Sequence, residues 1–210
     1  MMADILNNIE ELVDKDEKLI DIWGRRTPKF EKRYSEEKNS VLRVLSDYGV
    51  GASSHTEAKG KVFGAGYEPL IIAYFIGLYS NKRLPLSDDP DEIKDRGCGQ
   101  PIQYWGNLDS KKYRHAYPKL RSYIFISLIA RTDIDWIAID KGDIKVSTAI
   151  SKLMETMEEY INYGLSVMAE KLNKDSSFFF SNRSFLDMFL QLTDKYSDQQ
   201  DEEDDEVEDL

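Results

Sequence analysis

From Val146 to Val167 the residues Val146, Ile150, Leu153, Met157, Tyr160, Gly164 and Val167 recur at alternating steps of four and three. An α-helix turns once in 3.6 residues, so these side chains share one face and form a seam. A strand cannot carry this pattern, because its faces alternate with period two. A second stripe of Met154, Ile161, Leu165, Met168 and Leu172 joins the seam, which predicts a helix that packs against two partners. The expected span is Ile144 to Leu172, with Asp143 as N-cap. Gly164 sits on the seam, where it either permits close helix approach or marks a break at some cost in stability.

The rest of the chain reads as further helices separated by irregular segments. Asp4 to Trp23 carries an apolar stripe and is stopped by Gly24 and Pro28. Ser35 is the expected N-cap of a second helix, with Glu36 and Glu37 in its first turn and Val41, Leu42, Leu45 and Tyr48 on its apolar face. Glu68 to Tyr79 has apolar side chains all round its axis and predicts a buried helix with Pro69 in its first turn. Pro118 starts another, with Leu120, Tyr123, Ile124 and Leu128 at helical spacing, although Tyr123 to Ala130 also fits a short buried strand. Ile134 to Ile139 fits either state, and residues 140–143 form a turn. Phe178 to Phe180 reads as an aromatic plug before a last helix from about Arg183 to Tyr196, with Leu186, Phe189 and Leu190 facing inward. The expected architecture is therefore mainly α: a compact single-domain bundle of about six helices over residues 1–197, with long irregular loops at 51–66 and 84–107.

Charge divides the chain unevenly. Asp198 to Leu210 holds nine acids and no base, so removing it turns a net −11 into 28 bases against 30 acids. A segment with so little to bury is expected to be disordered, while a nearly neutral body can still carry basic patches. A single cysteine, Cys98, excludes an internal disulfide and fits a reducing, cytoplasmic setting. The start of the chain has early acids and no basic flank before an apolar run, so it does not read as a signal peptide. The longest nearly apolar run, Pro69 to Tyr79, has eleven residues, short of the roughly 20 that a membrane span requires.

Two segments interleave bases with aromatic residues. The first holds Arg25, Arg26, Lys29, Lys32 and Arg33 with Phe30 and Tyr34. The second holds Lys111, Lys112, Arg114, Lys119 and Arg121 with Tyr113, Tyr117 and Tyr123, and no acid. Bases attract backbone phosphate and aromatic rings stack on unpaired bases, so both are candidate nucleic-acid contacts. The plainer reading is a pair of solvated loops whose rings point inward. The acidic stretch is then a candidate competitor for such basic surfaces.

Lys59 and Lys61 lie in a glycine-rich run that leads into the Glu68 helix, an arrangement that can hold an anion or phosphate on backbone amides. The run lacks the GxxxxGK[ST] pattern, and Glu68 already supplies negative charge at that helix start. Cys98, flanked by two glycines, would need His55 or His115 as a base to act as a nucleophile, and matches no known nucleophile signature. The same three residues are too scattered for a zinc site, and no metal or cofactor is implied. The expectation that follows is a non-enzymatic accessory or adaptor subunit with a protein partner and a nucleic-acid contact. The alternatives are an enzyme with an anion site at 51–66 and 84–107, and a homodimer that pairs the seam helix with itself.

Overall fold

A computed structural model describes residues 18–46, 48, 61–106, 117 and 119–192. Among these residues the chain is mainly α, with strand confined to one two-residue pair. The helices are α1 (Leu19–Gly24), α2 (Val41–Leu45), α3 (Glu68–Tyr79), α4 (Leu120–Arg131), α5 (Trp136–Asp140), α6 (Val146–Lys174) and α7 (residues 184–192). No helix among them is long and apolar enough to cross a membrane. The residues before Lys18, which hold most of the predicted Asp4 to Trp23 helix, and the acidic stretch 198–210 lie outside the described residues, while the end of that predicted helix is α1.

The contacts divide the chain into two units, one of Met1–Arg26 with Pro101–Met154, the other of Thr27–Gln100 with Glu155–Leu210. The division falls inside α6, so this helix contributes to both.

In the first unit, α1 packs on α4 and on a 3₁₀ turn at Ile102–Tyr104. Trp23 is fully buried and its ring lies 5.3 Å from that of Phe125. Ile102, Trp105, Ile124, Leu128, Ala149, Ile150 and Leu153 are buried with them. The stretch that fits helix or strand at Tyr123 to Ala130 is helical, because Ile124, Phe125 and Leu128 bury one stripe while the other side faces solvent. The ambiguous stretch before Ile139 is helix as well: Asp135 caps it by accepting from the amide of Ala138 at 2.9 Å.

In the second unit, α3 and the C-terminal part of α6 supply most of the core, with Leu70, Ala73, Tyr74 and Ile76 from one and Met157, Tyr160, Ile161, Leu165 and Met168 from the other. Tyr74 and Tyr160 meet edge to face at 5.9 Å. Strands β1 (Phe30–Glu31) and β2 (Ile93–Lys94) pair antiparallel, Phe30 opposite Lys94 and Glu31 opposite Ile93. Gly97, at φ +41°, turns the chain beside the carbonyl of Pro28, where a β-carbon would collide.

Three local expectations are corrected. Asp143 does not cap α6. Its amide and that of Ile144 donate to the carbonyl of Ala138, so residues 141–145 close the end of α5 and α6 begins at Val146. Ser35 does not start α2. Its amide and hydroxyl both reach the carbonyl of Lys32, closing a 3₁₀ turn at Lys32–Tyr34, and α2 follows at Val41. Leu186 and Leu190 do not face inward. They are 56% and 49% exposed, and α7 buries Ser184 and Met188 instead.

Candidate functional site

The first basic segment is split between the two units, Arg25 and Arg26 on one side and Lys29, Lys32 and Arg33 on the other. Arg25 and Arg26 are exposed at the end of α1, and the carbonyl of Arg26 accepts from the amide of Ile102. The rings expected to stack are in the core: Phe30 is fully buried and Tyr34 is 3% exposed. Burial pushes the Tyr34 phenol up to about 12, against the opposing pull of Arg33. The bases beside these rings contact their own unit. Lys29 lies 3.4 Å from Asp95, the Lys32 ammonium donates to the carbonyl of Asp91 at 2.6 Å, and Arg33 pairs with Glu31 at 2.6 Å.

The second basic segment presents a different face. Lys111, Lys112 and Arg114 lie outside the described residues, but Tyr117, Lys119, Arg121 and Tyr123 are described. Tyr117 is 60% and Tyr123 51% exposed, and Lys119 is exposed between them. Arg121 is half-buried and reaches Asp21 at 3.5 Å, which ties α4 to α1. Ile126, one helical step beyond Tyr123, is exposed too. No acid occurs anywhere from Lys111 to Thr132. The start of α4 and the residues just before it therefore carry exposed aromatic rings, an exposed lysine and no carboxylate of their own.

The glycine-rich run is engaged internally where it is described. The Lys61 ammonium donates to the carbonyls of Arg43 and Val44 and so satisfies the C-terminal end of α2. The amides of Gly64 and Ala65, which an anion would use, donate to Glu68 Oε2 at 2.9 and 3.3 Å. Lys59 lies outside the described residues.

Cys98 is half-buried, and burial pushes its thiol up to about 11. A thiol held in that range is almost wholly protonated at neutral pH, the opposite of an activated nucleophile. His55 and His115, its two candidate bases, lie outside the described residues.

One cleft escapes the sequence reading. In the second unit, Lys29, Asp88, Asp95, Glu155, Glu158 and Glu159 line a space of about 420 Å³. Glu155, Glu158 and Glu159 come from one side of α6 at helical spacing, which is the signal that marks them in the sequence. Burial holds the carboxyl of Glu158 above the usual carboxylate range, partly offset by the Lys29 amide that donates to its Oε1 at 2.9 Å. Burial also raises Glu159, which Arg83 opposes from 3.8 Å. The cleft has the charge to attract a cation, yet no group of three or more potential ligands among the described residues is arranged to hold a metal ion.

Comparison with family models, curated proteins and solved structures finds no match for this chain.

Proposed function

We propose that this chain is a non-enzymatic accessory or adaptor subunit of a larger cytoplasmic assembly, and that it contacts single-stranded nucleic acid through the start of α4 and the residues just before it. The observation that carries this reading is the exposure of Tyr117 and Tyr123 on either side of Lys119, in a stretch without acids. Exposed rings offer stacking surface to unpaired bases, and a surface of one charge sign attracts the phosphate backbone. The first segment supports the reading less, because Phe30 and Tyr34 are buried and the neighbouring bases face their own carboxylates and carbonyls.

The enzyme reading draws little support from the same geometry. Lys61 and the amides of Gly64 and Ala65 already have partners, and the Cys98 thiol is shifted away from reactivity.

The test is fluorescence anisotropy of the full chain with labelled oligo(U), oligo(dT) and a duplex control, titrated from about 50 to about 200 mM salt. Single strands bind more tightly than duplex, and affinity falls as salt rises. Tyr117→Ala and Tyr123→Ala each weaken binding roughly tenfold, since stacking contributes on the order of 1–3 kcal/mol per base. Lys119→Glu weakens it further, and Lys32→Ala changes it little. Absence of binding to any strand at about 50 mM salt removes the nucleic-acid part of the proposal.

A further inference from the structure

The cleft in the second unit has a lining of two kinds. Glu155, Glu158 and Glu159 come from α6, and Asp88 and Asp95 from the segment 85–95. Against these five carboxylates the described lining sets one ammonium, that of Lys29, which lies 3.4 Å from Asp95. Arg83 opposes Glu159 from 3.8 Å. No cation pairs with the carboxylate of Asp88 or Glu155 among the described residues.

Acidic surface by itself only gathers counterions, but this lining is apolar as well, through Pro85, Leu86, Pro90 and Ile93. The space of about 420 Å³ falls within the range of clefts that take small organic ligands. The carboxylates do not converge on a point, since no three potential ligands among the described residues are placed to hold a metal ion. Spread carboxylates beside apolar surface match a ligand whose cations are spread along an aliphatic chain. Its ammonium groups meet the carboxylates while its methylenes cover the apolar side chains. A lone lysine side chain from a partner brings one ammonium at the end of its stem and leaves the other carboxylates facing one another. Burial also disfavours the ionised form of Glu158, and a cation beside it offsets that effect.

We propose that this cleft binds a linear aliphatic polyamine, a flexible alkyl chain with two or more ammonium groups. The cleft shares no residue with the surface at the start of α4, so its occupancy is independent of nucleic-acid binding.

The test is isothermal titration calorimetry of the full chain with spermidine, cadaverine, pentylamine and magnesium, at about 150 mM salt to screen diffuse attraction. Spermidine and cadaverine bind saturably. Pentylamine, with the carbon count of cadaverine and one ammonium fewer, binds at least about tenfold more weakly. The double variant Asp88→Asn/Glu155→Gln loses at least about tenfold in spermidine affinity with circular dichroism unchanged. Glu170→Gln, which removes a carboxylate paired with Lys174 further along α6, changes nothing. In the parent chain the methyl NMR signals of Leu86 and Ile93 move as spermidine is added, a readout that holds even if the double variant fails to fold. Absence of spermidine binding overturns the site. Unchanged affinity in a folded double variant, or Leu86 and Ile93 methyls that stay in place, overturns it too, because the polyamine is then held by acids elsewhere on a chain of net charge −11. Pentylamine that binds as tightly as cadaverine overturns it in favour of a partner's basic side chain. Magnesium that displaces spermidine at matched ionic strength overturns it in favour of charge neutralisation alone.

Discussion

A β-carbon on Gly164 would fall inside the carbonyl group of Ala73. The same holds one turn along, where a β-carbon on Gly77 would strike the carbonyl of Tyr160. Helices α3 and α6 thus meet backbone to backbone at Ala73 and Gly77 against Tyr160 and Gly164. Gly164 permits close approach, and α6 runs through it without a break. Alanine improves intrinsic helix propensity by about 1 kcal/mol, but the collision is with backbone, which cannot swing aside. Gly164→Ala is expected to destabilise the chain by about 1–3 kcal/mol, read as a lower urea midpoint at unchanged slope. A midpoint that rises would show that the helices separate at no cost.

The amide of Asn162, fully buried, donates to Glu31 at 3.0 Å and to the carbonyls of Leu84 and Pro85 at 3.2 and 2.9 Å. One side chain thus ties α6 to β1 and to the loop after α3. Glu31 is itself only 7% exposed and keeps Arg33 as its other partner. Removing the amide takes a donor from a buried carboxylate and from two carbonyls. Asn162→Ala should cost about 1–3 kcal/mol. Asn162→Asp, which sets a second carboxylate against Glu31, should cost more at neutral pH and recover part of the loss as the medium is acidified. Urea titration of both variants at two pH values makes the comparison.

Burial raises the carboxyl of Glu158, so the folded chain holds this proton up to a higher pH than the unfolded chain does. The ionised form therefore opposes folding. Its penalty is full above the raised value, shrinks as pH falls through it, and is gone below the ordinary value of about 4.3 for an unfolded glutamate. Glu158→Gln keeps an oxygen for the Lys29 amide and removes the charge. The variant is expected to be more stable than the parent at pH 7, by a margin that closes on acidification. A margin that is constant with pH would mean that Glu158 does not titrate as its surroundings dictate.

Cys98 should be a slow thiol. With its value pushed up to about 11, the thiolate fraction near pH 8 is about two orders of magnitude below that of an ordinary cysteine. Alkylation by iodoacetamide should be correspondingly slower in the native chain than in urea, and Cys98→Ser should leave nucleic-acid binding unaltered. Equal labelling rates in both states would place the thiol in solvent.

Helix content was legible because it is written in short-range spacing. The seam from Ile150 to Gly164 is buried as its period of three and four requires, and Glu68–Tyr79 forms the buried helix that its all-round apolar surface implies. Those patterns depend on residues three and four apart, and the backbone's own geometry turns them into faces. Helix starts were less legible, because several polar residues in a row can each close a turn, and the carbonyls of Lys32 and Ala138 took the amides that Ser35 and Asp143 were expected to direct elsewhere.

What only the tertiary structure decided is which side of each element is used. Leu186 and Leu190 have the right spacing for a core, yet Phe179 and Phe185 stack at that place and turn the leucines out. Phe30 and Tyr34 look like Tyr117 and Tyr123 in the sequence, but the first pair is buried and the second exposed. The pairs that settle the fates of the charged residues join distant parts of the chain: Lys29 with Glu158, Asn162 with Glu31, Lys61 with Val44. Local propensity carries no information about such partners, because a charge or an amide has the same helix or turn preference whether its neighbour in space is water, a carbonyl or a carboxylate.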